Sequence, residues 1–281
     1  MATFLERYQD GGRVALWDDL VALGEGVRHE LYYADAAAVA AETMRRARHN
    51  VELLIQRLDG MGYRFLTQEI NDKNHREALG RLAVEEAADN GRAMAIEFMN
   101  NALAGQAAPL ENPDVLDRPT KQTARQINKL EKWAGGPLPL SLRAWYEQVG
   151  GVSLLGWHST LHPNADEPAG LPGTCPDPLM IWLLESVLEM VEENDDGDEE
   201  GEIRLGLAPD ETFKAGEGGG GPYEMVIPNP CADGIFEDGN GRTFVGYLRN
   251  LFAWGGFPGW ECDKNAPREA IAKLTEGLLP I

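Results

Sequence analysis

The stretch Thr243-Phe-Val-Gly-Tyr-Leu-Arg-Asn-Leu-Phe-Ala-Trp-Gly-Gly-Phe-Pro-Gly-Trp260 constrains this chain more than any other. Phe244, Tyr247, Leu248 and Leu251 recur at i, i+3, i+4 and i+7, the spacing of one helical face. Gly255 and Gly256 stand where such a helix stops, because glycine takes positive φ without steric cost. Pro258 prevents the helix from resuming. A short helix running into an aromatic turn must dock on a large apolar surface. The spacing makes Phe244 to Leu251 core. Phe257 and Trp260, beyond the stop, are the two aromatics expected to reach a partner.

The charge is unevenly spread. The formal net charge is -21; residues 1–110 hold 12 basic and 17 acidic side chains, and residues 111–281 hold 13 and 29. Such a surface repels nucleic-acid phosphates and anionic lipid, so neither is an expected partner. It suits a basic protein, which long-range attraction would steer in. Eight of the eleven residues from Glu192 to Glu202 are carboxylates. Asp195, Asp196, Asp198, Glu199 and Glu200 within that run are candidate partner-binding residues. Plain solubility is the competing explanation.

Cys175, Cys231 and Cys262 are odd in number and form no C-x-x-C pair, which fits a reducing compartment. The first residues lack a signal-peptide layout, and no apolar run reaches the roughly 18–20 residues of a membrane span. A cytoplasmic location is the expectation.

Residues 1–110 read as a helical region, with helices near Val14–Leu23, from Asp35 as cap to Leu58, and across 75–103. A short extended piece, His29 to Tyr33, precedes the second. Arg45, Arg46 and Arg48 form a basic cluster, read as pairing with Glu42 and Glu52 in preference to a phosphate site. Residues 111–120 read as a linker. From 121 to 281, helices over 124–134 and 140–149 each end in a glycine pair. Strands follow at 152–156, 179–183, 202–207, 223–228 and 235–236, with a helix over 184–193. Strands without βαβ alternation give an α+β fold with a central, mainly antiparallel sheet and packed helices.

No chemistry stands out. Gly218 to Gly221 lack the lysine and the helix of a phosphate loop. The acidic run cannot be drawn through a calcium-loop spacing. His158, His162 and Cys175 share a proline-rich loop, 157–178, but no third group orients them. Glu185, Asp210, Asp233 and Glu237 could pair for acid–base work, though a chain this acidic produces such neighbours by composition. No catalytic residue, cofactor or metal is expected.

Leu138-Pro-Leu-Ser-Leu-Arg143 followed by Trp145-Tyr-Glu-Gln-Val-Gly-Gly151 resembles the opening motif of the SUKH superfamily of Smi/Knr-type cell-wall-synthesis regulators and bacterial immunity proteins. Asp177-Pro-Leu179, Leu207-Ala-Pro-Asp210, Lys214, Gly221-Pro-Tyr223 and Phe244 to Trp260 resemble its bacterial members in the same order. The likeness spans about Lys121 to Ile281; Trp17 and Tyr63-Arg-Phe65 are similar to an extension in some members. The resemblance implies an α+β fold and a non-enzymatic protein-binding role, as an immunity protein occluding a toxin domain. The alternatives are a regulator or scaffold of cell-envelope growth and an enzyme using the 157–178 loop.

Overall fold

In the computed structural model, residues 2–66, 107–161, 176–193, 203–214 and 220–281 are described. Helices α1 (Phe4–Gln9) and α2 (Arg13–Ala22) lead through a 3-10 turn at Gly24–Arg28 into α3 (Glu30–Gly60), which runs for 31 residues. Its buried side chains, Val39, Ala40, Met44, Ala47, Val51, Leu54, Ile55 and Leu58, alternate at three and four positions and form one stripe. That stripe packs on α5 (Leu140–Gln148), which follows α4 (Thr123–Trp133).

The His29–Tyr33 piece expected to be extended belongs to α3. His29, not Asp35, is the cap: its ring accepts from the Leu31 amide at 3.3 Å. Asp35 caps a different helix. Its carboxylate accepts from the Phe4 and Leu5 amides at 2.5 and 3.1 Å, fastening the start of α1 to the side of α3. The guanidinium groups of Arg45 and Arg46 bind Glu42, and that of Arg48 binds Glu52, the pairing read from the sequence.

Every pairing between the described strands is antiparallel, and the α+β class holds. β1 (Arg64–Phe65) pairs with β4 (Gly156–Trp157). β2 (Leu116–Asp117), β3 (Gly151–Ser153) and β5 (Met180–Ile181) form a three-stranded sheet in the order β2-β3-β5. The Trp182 amide donates to the Leu207 carbonyl at 2.8 Å and carries that sheet on to β6 (Ile203–Ala208). β6 pairs with β7 (Tyr223–Ile227), and a Glu224–Glu237 bridge extends the array to β8 (Ile235–Phe236) and β9 (Arg242–Thr243). The remaining helices are α6 (Leu184–Glu193), α7 (Glu211–Lys214), α8 (Phe244–Ala253) and α9 (Arg268–Thr275).

The expected boundaries do not separate two cores. The linker residues Leu116 and Asp117 form a strand, and β1 of the N-terminal region pairs with β4 of the second. One apolar cluster includes α3, α5 and α8 together. The helical stretch read at 75–103 lies outside the described residues.

The turn after α8 departs from its sequence reading. Phe257 and Trp260 are 0% and 1% exposed, so neither is on a surface that a partner could touch. Phe257 lies against Tyr63, ring centroids 5.9 Å apart, and the Tyr63 hydroxyl donates to the Leu154 carbonyl at 2.7 Å. Gly256 has φ +93°, and a Cβ there would come within 2.9 Å of Leu154 and 3.5 Å of Leu54 on α3. The aromatic turn is the plug between the N-terminal helix and the sheet.

α8 itself starts as read, with the Thr243 hydroxyl accepting from the Gly246 amide at 3.2 Å. A second carboxylate supports that start. Asp233, 6% exposed, accepts from Ser141 Oγ at 2.6 Å, the Gly234 amide at 3.1 Å and the Val245 amide at 3.1 Å. It joins the first turns of α5 and α8. Burial pushes its pKa up to about 6, while these hydrogen bonds pull the other way.

Two outcomes follow. Phe257→Ala should cost about 3–5 kcal/mol of stability by cavity formation, measured by denaturant unfolding; an unchanged midpoint would mean the ring is not in the core. Folded Asp233 holds its proton more tightly than the unfolded chain does. Its contribution to stability therefore falls as pH rises from about 4 to 6. Relative to Asp233→Asn, the native chain should lose up to about 3 kcal/mol over that range, whatever the variant's baseline.

Candidate partner-binding face

α6 presents a helical face made of carboxylates. Val187, Leu188 and Val191 are buried, as the spacing predicts, and Glu185, Glu189, Glu192 and Glu193 are exposed. Positions 185, 189, 192 and 193 fall at i, i+4, i+7 and i+8, so the four carboxylates share one side of the helix. α6 contains no basic residue. Lys129 on α4 pairs with Glu192. Among the described residues, Glu185, Glu189 and Glu193 have no ion-pair partner. Glu185, in the first turn, also favours the helix start.

The N-terminal end of this face borders a cleft of about 440 Å³ between the β2–β3 edge, the start of α4 and the start of α6. Asp117, Gln126, Tyr146, Gly150 and Glu185 are among its lining residues. The glycine pair that reads as a helix stop shapes this cleft. Gly150 has φ +95°, and a Cβ on it would lie 2.0 Å from the Asp117 carbonyl oxygen. Gly151 would meet the Leu183 side chain at 2.2 Å. The pair therefore lets β2 and the approach to α6 close on the end of α5.

The cleft lining sets Asp117 and Glu185 beside Arg118 and Lys121. Arg118 turns its guanidinium to the Leu110 carbonyl at 2.6 Å and Glu52 at 3.3 Å. Among the described residues, neither Asp117 nor Glu185 has a hydrogen-bond or ion-pair partner for its carboxylate. Partial burial raises the pKa of Asp117, and the neighbouring Glu185 charge raises it further. A cation brought between them would relieve both.

The other candidates are placed as follows. Asp195, Asp196, Asp198, Glu199 and Glu200 lie outside the described residues, as do Cys175 and His162. His158 Nδ1 accepts from the Thr160 amide at 3.2 Å. Glu185, Asp210, Asp233 and Glu237 are not assembled into one acid–base site: Asp210 accepts from the Phe213 amide, Asp233 joins α5 to α8, and Glu237 binds Arg204. Among the described residues no group of three or more His, Cys, Asp or Glu could hold a metal ion, and no helix is long and apolar enough to cross a membrane.

Three positions quoted for the family resemblance do converge. Lys214 Nζ, its side chain fully buried, lies 2.6 Å from Asp177 and 4.9 Å from the centre of the Tyr223 ring. Asp177 holds φ +47°, a conformation unusual for a residue other than glycine. This ion pair ties the segment before β5 to α7 and β7.

No protein-family model, curated protein or solved structure matches the chain.

The acidic stripe of α6 was within reach of the sequence, since Glu185, Glu189 and Glu193 are spaced by four on a segment read as helix. Asp117 was not, because it stood in an apparent linker. Replacing Glu185 by Gln should lower the titration midpoint of Asp117, followed by carboxyl-carbon NMR; an unmoved midpoint would mean the two charges do not face each other.

Proposed function

We propose that this chain is a non-enzymatic protein-binding module that neutralises a basic toxin domain, as an immunity protein does, through the α6 face. The observation that carries the reading is the row of carboxylates on one side of α6, of which Glu185, Glu189 and Glu193 have no ion-pair partner among the described residues. Many other acidic side chains are matched internally: Glu42, Glu131, Glu147, Asp177, Glu237 and Asp238 all bind Arg or Lys. On α6 only Glu192 is so matched among the described residues. Carboxylates left unpaired side by side repel each other, and a cationic surface removes that repulsion while gaining attraction of its own. The Leu138–Gly151 motif and the ordered pieces after it support the immunity-type assignment by resemblance.

The mechanism is occlusion. Long-range attraction raises the encounter rate with a basic domain, and the bound face then covers the surface that the toxin needs for its own substrate. No bond is made or broken. The acidic run from Glu192 to Glu202 continues α6 in sequence and adds charge at the same end of the chain.

Binding to a basic toxin domain, sought among those encoded beside this gene, should be salt-dependent. The triple variant Glu185→Lys, Glu189→Lys, Glu193→Lys should slow association at least about tenfold at low ionic strength, read by biolayer interferometry. Equal rates for the native chain and the variant would remove the α6 face from the interaction. Undiminished protection from the toxin after His158, His162 and Cys175 are changed to Ala would count against an enzyme in the 157–178 loop.

A further inference from the structure

The cleft at the start of α4 and α6 has room for a ligand of its own. Its volume of about 440 Å³ lies within the roughly 300–1,000 Å³ of small-molecule sites. The charges that line it have both signs: Asp117 on β2 and Glu185 on α6, with Arg118 and Lys121 on the segment leading into α4. The Glu185 charge acts on Asp117, so the two carboxylates are close neighbours. Arg118 is engaged at Leu110 and Glu52. The Lys121 ammonium makes no hydrogen bond or ion pair among the described residues. Neutral polar groups stand around it at the start of α4. Thr123 Oγ1 accepts from the Thr120 amide at 2.9 Å, and Thr120 Oγ1 accepts from the Gln122 amide at 3.1 Å. Each hydroxyl keeps its proton as a donor. The side-chain amides of Gln122 and Gln126, also in the lining, make no hydrogen bond among the described residues.

Such a lining sorts ligands by charge. A simple anion is drawn to Lys121 and repelled by Asp117 and Glu185. A simple cation is drawn to the carboxylates and repelled by Lys121. A neutral ligand displaces water from half-buried Asp117 without giving its carboxylate a partner, which costs free energy. A molecule that carries both charges satisfies both ends of the cleft, with an ammonium between Asp117 and Glu185 and a carboxylate at Lys121. The start of α4 adds to the preference at the second end. It has no side-chain cap, so its first-turn amides present positive partial charge beside Lys121. The free glutamine amides can then both donate to and accept from a polar group on the same ligand.

We infer that this cleft is a binding site for a free α-amino acid with a neutral polar side chain. Asp117 and Glu185 hold its ammonium, Lys121 holds its carboxylate, and Gln122 and Gln126 meet its side chain. The site does not depend on toxin binding by the α6 face, with which it shares Glu185.

The test uses L-glutamine and two analogues that each lack one charge: γ-aminobutyramide, without the carboxylate, and glutaramate, without the ammonium. Each is titrated into the full chain by calorimetry, with the amide signals of Gly150 and Gly151 in the cleft followed by NMR. L-Glutamine should shift both glycine signals and bind at least about tenfold more tightly than either analogue, the effect of one hydrogen bond to a charged group. Lys121→Gln, at an exposed position, should keep thermal stability and remove the advantage over γ-aminobutyramide. Asp117→Asn should remove the advantage over glutaramate. Equal binding of L-glutamine and γ-aminobutyramide by the native chain would make the cleft a seat for cations alone and overturn the inference. Equal binding of L-glutamine and glutaramate would overturn it likewise. So would binding that leaves both glycine signals still, or no binding of L-glutamine at millimolar concentration.

Discussion

The buried stripe of α3 is the constraint on which the rest depends. A helix of 31 residues with apolar side chains down one side has no stable existence in water unless that side is covered. Part of the cover is local, from α1, and the rest comes from distant parts of the chain: α5, the Gly256 turn at Leu54, and the C-terminal segment at Asn50. Asn50 donates from Nδ2 to the Leu279 carbonyl at 2.8 Å and accepts the Leu279 amide at 2.7 Å. Arg46 and Arg57 add main-chain contacts to Pro280 and Leu274. The described parts of the helical first third and of the mixed remainder therefore share one apolar core.

The proposed binding face is set by the same packing: α4 packs on α5, and α6 packs on α4 and β6. The end of α5 must pass beneath β2, which demands Gly150 and Gly151. The same pair lines the polar cleft. Packing and the proposed recognition surface thus meet at two residues without side chains.

The legible parts were those whose cause is local. α6 begins and ends at Leu184 and Glu193, as its apolar spacing predicts, and Phe244, Tyr247, Leu248 and Leu251 form the buried face of α8. The unread parts were those whose cause lies far along the chain. Phe257 seemed free because its cover, Tyr63, is nearly two hundred residues upstream. Asp35 has the composition of a cap and is one, but for a helix thirty residues before it. Leu116 and Asp117 form too short a strand to show any alternation, so they looked like connection. The α6 stripe was visible as spacing, but only the fold brings Asp117 to the cleft beside Glu185.

The Asn50–Leu279 clasp joins residues 229 positions apart. Closing so long a loop adds little to the equilibrium cost, because that cost grows only with the logarithm of length. Its effect is on time. Contacts of large sequence separation form late, and a fold built on them is slow to assemble. Until residues 140–148 and the segment around Leu279 arrive, the stripe from Val39 to Leu58 stands open to solvent. The protein's most vulnerable moment is therefore its own assembly, when a sticky helix waits for the far end of its chain.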